Sequence, residues 1–127
     1  FDSEMYSYSY DKKEDKLTAV SNYNLPSKVQ GVAFDDNGSI YLSTSYGRNN
    51  SSYLKVYSSL LSLDKKPNEP KGKVEMPPCS EEVAIADGTV FVLFESASAK
   101  YFEGTDGMGK SPAPIDKLLE VSVASIW

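Results

Sequence analysis

The sequence predicts an all-β fold of consecutive antiparallel strands, and three observations carry that expectation. Tyr, Phe, Val, Ile, Ser and Thr fill the stretches between turn signals, and no long apolar stripe recurs every three to four positions as a helix requires. Turn residues punctuate the chain at short intervals. One pattern also repeats about 50 residues apart. Its first copy is Leu25-Pro26, Val29-Gln30-Gly31-Val32-Ala33-Phe34, Asp36-Asn37-Gly38 and Ile40-Tyr41-Leu42-Ser43-Thr44-Ser45. Its second is Met76-Pro77-Pro78, Glu82-Val83-Ala84-Ile85, Asp87-Gly88 and Val90-Phe91-Val92-Leu93-Phe94-Glu95-Ser96. A period of ~40 to 50 residues is that of propeller blades. The expected architecture is therefore about two four-stranded antiparallel blades of a β-propeller, a fragment of a larger propeller. An unrelated β-sandwich is the alternative.

In chain order, strands are expected at residues 5–10, 17–23, 29–35, 39–45, 53–58, 73–76, 82–86, 89–95 and 117–123. Asp11-Lys12-Lys13-Glu14-Asp15 reads as a charged hairpin tip, and Asp36-Asn37-Gly38 and Asp87-Gly88 supply residues that tolerate positive φ. The one helix candidate, Ile115-Asp116-Lys117-Leu118-Leu119-Glu120, continues into an alternating Val121-Ser122-Val123, which favours strand. Two linkers break the rhythm. Residues 59–71 read as a long connection with a small apolar anchor in Leu60, Leu61 and Leu63, and residues 102–114, rich in Gly and Pro, read as a mobile loop. On this plan residues 1–24 are the outer strands of one blade, 25–76 a full blade and 77–127 most of the next, all in a single segment. The small residues of Val32-Ala33 and Val83-Ala84 suit an inner strand near a crowded axis.

Composition excludes some functions. With 127 residues one domain is the default, and a chain of this size buries roughly two thirds of its unfolded surface. The net charge of -5 provides no basic field for a phosphate backbone, so nucleic acid is not an expected partner. No apolar run approaches the ~20 residues of a membrane-spanning helix. The start, Phe1-Asp2-Ser3-Glu4, lacks the charged and apolar regions of a signal peptide, so the chain reads as a processed or excised fragment. The single Cys79 forms no internal disulfide and reads as a small buried hydrophobe. With no histidine, Ser-His and Cys-His pairs and the usual zinc sets are absent, leaving chemistry to carboxylates, Lys, Arg or Tyr.

The stretch from Leu25-Pro26 through Val29-Gln30-Gly31-Val32-Ala33-Phe34 to Asp35-Asp36-Asn37-Gly38-Ser39-Ile40-Tyr41-Leu42 resembles the repeats of six-bladed propellers of the NHL and gluconolactonase-like kind. Residues 43–50 and 92–97, with Lys100-Tyr101 and Pro114-Ile115-Asp116, look similar to uncharacterised secreted bacterial proteins of propeller type. That likeness implies an extracellular or cell-envelope setting. Gluconolactonase-like propellers hold a divalent metal near the axis with carboxylate and Asn/Asp side chains. The matching inner-strand starts here carry Gln30 and Glu81 or Glu82, which is too little to assign a metal. Fold likeness alone transfers no activity.

Gly104-Thr105-Asp106-Gly107-Met108-Gly109-Lys110-Ser111 matches the phosphate-loop formula, but Pro112 and Pro114 disfavour the helix such a loop must open. The match reads as coincidence. Tyr46-Gly47-Arg48-Asn49-Asn50-Ser51-Ser52 is the better ligand candidate, a polar hairpin loop carrying the chain's only Arg beside a Tyr. The competing role for Arg48 is an ion pair with a neighbouring blade's carboxylate, Glu95 being the equivalent-hairpin choice. Glu81, Glu82 and Glu95 have the chemistry of a calcium or acid/base cluster, or of solvated surface charge. Tyr6, Tyr8 and Tyr10 alternate onto one strand face, as either a sugar-stacking ladder or packing for an adjacent blade. The triplets at Asn37, Asn49 and Asn50 fit the glycosylation formula and receive no role.

The ligand-binding candidates are thus Arg48, Tyr46, Asn49, Gln30, Glu82 and Glu95, with no catalytic residue, metal ligand or cofactor assigned. The expected function is non-catalytic recognition or scaffolding in a secreted or envelope-associated bacterial propeller, with a small polar or carbohydrate ligand. The remaining blades or another protein chain are the expected partners. The alternative is part of a metal-dependent lactonase- or lyase-like propeller enzyme using calcium or another divalent ion.

Overall fold

The structure, a computed structural model, describes residues 3–127. Nine strands form among them, each within two residues of its expected ends. A hairpin of β1 (Glu4–Asp11) and β2 (Lys16–Asn24) stands as its own two-stranded sheet. A four-stranded sheet follows, β3 (Val29–Phe34), β4 (Ile40–Thr44), β5 (Ser52–Tyr57) and β6 (Gly72–Met76), paired in that order. The third sheet is β7 (Ser80–Ala86), β8 (Thr89–Phe94) and β9 (Leu119–Ser122). Every pairing is antiparallel. The expectation of an all-β chain holds.

The turns form for the reasons their residues supply. Asp11 accepts from the amides of Lys13 and Glu14 at 2.9 and 3.2 Å, which closes the first hairpin. Asp35 does the same for Asn37 and Ser39, each at 2.9 Å. Asp87 and Gly88 both take positive φ, 49° and 72°, the two-residue geometry whose twist matches a hairpin. The repeated segments adopt the same local design in two separate sheets. Each begins with a register shift, between Val29 and Gly31 in β3 and between Ser80 and Val83 in β7, and then pairs regularly with the next strand.

The two larger sheets pack face to face with β3 against β7. Gly31 permits that approach: a Cβ there would lie 2.7 Å from the Glu81 carbonyl oxygen and 2.8 Å from Glu82 Cα. Nearby, the buried Ser43 and Ser80 hydroxyls share a hydrogen bond of 2.7 Å. Between the sheets lies one apolar core, centred on Tyr41, Leu54, Val56, Val83, Val90 and Val92. The chain end closes over it. A 3-10 turn at Val123–Ser125 brings Ile126 against Gly72, and the Trp127 indole donates to the Tyr41 hydroxyl at 3.1 Å.

A second core sits on the opposite face of the four-stranded sheet, where Ile40, Leu42 and Tyr57 meet Leu63, Met5 and Leu25. Leu63 belongs to α1 (Leu60–Lys65), a helix in the segment expected to be only a connection. The apolar anchor is therefore real but helical. Ser59 caps it by accepting from the Ser62 amide at 3.1 Å. Asp64 of α1 accepts from the Asn24 backbone amide at 2.8 Å and its side chain at 3.0 Å, which ties the hairpin to this core. Burial pushes the Tyr57 hydroxyl up to about 12, and that hydroxyl donates to the Pro67 carbonyl. A four-residue helix, α2 (Ala99–Phe102), and the 3-10 turn at Val123–Ser125 are the other elements missing from the expectation.

Candidate functional site

The loop between β4 and β5 gathers the polar chemistry at one end of the two large sheets. Gly47 turns it at φ 74°, and the Asn50 side chain donates to the Tyr46 carbonyl at 2.7 Å, closing the tip on itself. Tyr46 and Asn49 are exposed there, whereas Arg48 is only 7% exposed.

Arg48 points across to the loop after α2. One guanidinium nitrogen donates to Asp106 Oδ1 at 3.1 Å and to the Gly109 carbonyl, and the other pairs with Asp106 Oδ2. The guanidinium carbon lies 4.7 Å from the Tyr101 ring centre. This two-point pairing holds the Asp106 carboxyl below its usual range, helped by the Met108 amide. The proposed partner Glu95 is thereby corrected. Asp106 is carried up to Arg48 by turns at Gly104 and Gly107, both at positive φ, while Glu95 faces Glu81 and Tyr101 instead. The same bonds fasten the Gly- and Pro-rich segment expected to be mobile. Residues 110–118, which follow the Gly109 turn, are irregular, with no helix to open a phosphate loop.

Beside Arg48 lies a small pocket of about 110 Å³ holding Gln30, Cys79, Glu81, Glu95 and Tyr101. Gln30 is spent on structure, its amide donating to the Ser45 carbonyl at 3.2 Å. Glu81 and Glu95 share a hydrogen bond, and burial first, then the charge and bond of Glu95, push the Glu81 carboxyl up to about 7. Tyr101 also bonds Glu95, which raises the Tyr101 hydroxyl. Cys79 is buried at φ 69°, and burial raises its thiol. Glu82 does not join this pair: its Oε1 accepts from the Val83 amide at 2.9 Å, beside Gly31. Two of the three expected carboxylates therefore meet. They form a pair able to exchange a proton near neutral pH. Among the described residues no group of three or more His, Cys, Asp or Glu is arranged around a metal position.

A second concavity, about 370 Å³, lies between this loop and Tyr101, Asp106 and Met108, and a third, about 380 Å³, opens on the other side of Tyr46, over the outer face of the four-stranded sheet. Lys28, Tyr53 and Lys55 line this third one with Thr44, Asn50 and Ser51. The Lys28 ammonium lies 3.4 Å from the Tyr46 ring centre, and the Lys73 ammonium 3.9 Å from that of Tyr53. Sequence reading missed these lysines. Lys55 was legible in principle, because it alternates with Leu54 and Val56, but Lys28 depends on a positive φ of 67° that no residue pattern announced. The tyrosines of the first hairpin stand apart from all three pockets, with Tyr6, Tyr8 and Tyr10 54–58% exposed.

Comparison of the chain with family models, with curated proteins and with solved structures gives no match.

Proposed function

We propose that this chain is a non-catalytic recognition segment of a β-propeller protein, and that the loop carrying Tyr46 to Asn50 binds a small polar or carbohydrate ligand. The observation that supports it best is the position of Tyr46, exposed at the meeting point of three concavities beside a loop whose Arg48 is already locked by Asp106 and Tyr101. Binding is strongest where the contact groups need no ordering on association, and this loop has its order before any ligand arrives.

The propeller part of the reading draws support from three separate antiparallel sheets in chain order, the two larger ones built from the same repeated hairpin. Val32 and Phe34 alternate with the core-facing Ala33, and Leu93 with Val92 and Phe94, so both outer faces of the pair show apolar side chains. The remaining blades or another protein chain would cover them. An extracellular or envelope setting belongs to the same proposal.

Titration of the protein with a panel of neutral and acidic oligosaccharides tests it. Saturable binding is expected, weakened about tenfold or more by Tyr46→Ala with the thermal midpoint unchanged. No binding across the panel would sink it. The second reading, part of a metal-dependent lactonase- or lyase-like propeller enzyme, is favoured by the Glu81 and Glu95 pair. Lactone turnover that requires added calcium, manganese or zinc and disappears in Glu81→Gln would decide for that reading.

A further inference from the structure

Lys55 lies between Leu54 and Val56, both fully buried in the core between the sheets, so strand alternation turns it to the outer face. There it stands directly opposite Lys73 of β6. Like charges opposed across a strand pair are destabilising. A chain of net charge -5 has acids enough to relieve the repulsion. Among the described residues, however, the ion pairs are Arg48 with Asp106 and Lys66 with Glu69, and neither Lys55 nor Lys73 has a carboxylate at that range. Glu75, the nearest acid by register, is instead taken by the Ser51 hydroxyl at 2.6 Å. Burial, with Lys73 adding to it, holds the half-buried Lys55 ammonium below its ordinary range.

The lysines are also held in place rather than left to swing into solvent. Lys73 sits over the Tyr53 ring and Lys28 over the Tyr46 ring, so ammonium groups border the concavity at both tyrosines. Thr44, Asn50 and Ser51 line the space between, their donors engaged by the Tyr53 carbonyl, the Tyr46 carbonyl and Glu75, and their side-chain oxygens able to accept from a ligand hydroxyl. An inorganic anion would use the ammonium groups and leave both rings and the accepting oxygens idle. The two rings and the hydroxyl-bonding groups beyond them match a ligand that pairs a negative charge with an amphipathic, hydroxyl-bearing ring.

We propose that this concavity binds an acidic saccharide, its carboxylate held by Lys55 and Lys73 and its ring lying against Tyr46 and Tyr53. This inference rests on the recognition reading above and adds the charge of the ligand and the residues that select it. The lysine pair is a cost the fold carries for binding, since a residue placed for function is often one that stability would not choose.

The experiment is calorimetric titration of the protein and its Lys55→Met variant at low and high salt. The probes are a uronic-acid tetrasaccharide, the neutral tetrasaccharide of the same linkage, and inorganic sulfate. The uronic-acid probe is expected to bind about tenfold tighter than the neutral one, to lose that advantage in Lys55→Met, and to weaken as salt screens the charges. Lys55→Met is also expected to raise the thermal midpoint, because it removes the opposed charge while keeping the stem of the side chain. Equal binding of the two saccharides would overturn the acidic-ligand inference and leave the recognition reading standing. Sulfate binding as tightly as the uronic-acid probe would overturn the saccharide assignment. Failure of both saccharides would remove the recognition reading and this inference together. A lowered thermal midpoint in Lys55→Met would show that the lysine serves the fold, and would overturn its assignment to binding.

Discussion

At the scale of single residues, the same chemical group ends in different work according to what faces it. Arg48 has the fork that recognises a ligand carboxylate, yet it meets that carboxylate in its own chain at Asp106, so its role here is to lock a loop. Glu82 turns back to its own strand, whereas Glu81, one position earlier, is carried against Glu95. The consequence for stability follows from the sign of the shift. The Glu81 carboxyl rises from 4.5 unfolded to about 7 folded, so the folded state binds more protons across that range. Its favourable contribution is complete below about 4.5 and is lost as pH rises through about 7. Urea midpoints should therefore fall between pH 5 and pH 8, and Glu81→Gln should flatten that dependence. A variant with the same slope as the parent would assign the pH response to other groups. Of these pairings only the chemistry of the candidates was legible in advance: the Arg48 loop and the acidic cluster stood out by residue type, but their partners lie about 60 and 14 residues away in sequence.

At the scale of elements, β3 and β7 show how a small residue fixes a sheet-to-sheet distance. Gly31 admits the Glu81 and Glu82 backbone, and no side chain replaces it without moving one strand. Gly31→Ala should cost about 2 kcal/mol, read from urea unfolding, through overpacking that prises β3 from β7. A neutral substitution would mean that β3 and β7 yield more easily than close packing allows. The small residues expected to allow a close approach were Val32-Ala33 and Val83-Ala84, but Val32 and Ala84 are exposed and it is Gly31 that meets the Glu81 and Glu82 backbone. The helix α1 escaped expectation for a clear reason. Six residues are too few to display helical periodicity, and the segment is helical because Leu63 is buried against Ile40, Leu42 and Tyr57 while Ser59 caps the turn. Tertiary packing, not local preference, selects it.

At the scale of the whole molecule, the two large sheets bury one core between them while their outer faces keep Val32, Phe34 and Leu93 in solvent. The first hairpin adds its row of exposed tyrosines. Surfaces of this kind associate. On the proposed architecture, neighbouring blades or another chain occupy them, and the isolated segment should self-associate with rising concentration in sedimentation experiments. A monomer that unfolds in one cooperative step, unchanged over a wide concentration range, would count against the need for a partner.

The sequence by itself determined the strands, their turns and the repeat. Each of these rests on short-range physics: alternation across a pleat, aspartate and asparagine bonding their own backbone, and glycine at positive φ. Only the tertiary structure decided that Asp106 and not Glu95 answers Arg48, that Glu81 meets Glu95, and that Lys55 and Lys73 oppose each other beside two tyrosines. These meetings depend on register and on loop paths between distant segments, which no local preference encodes.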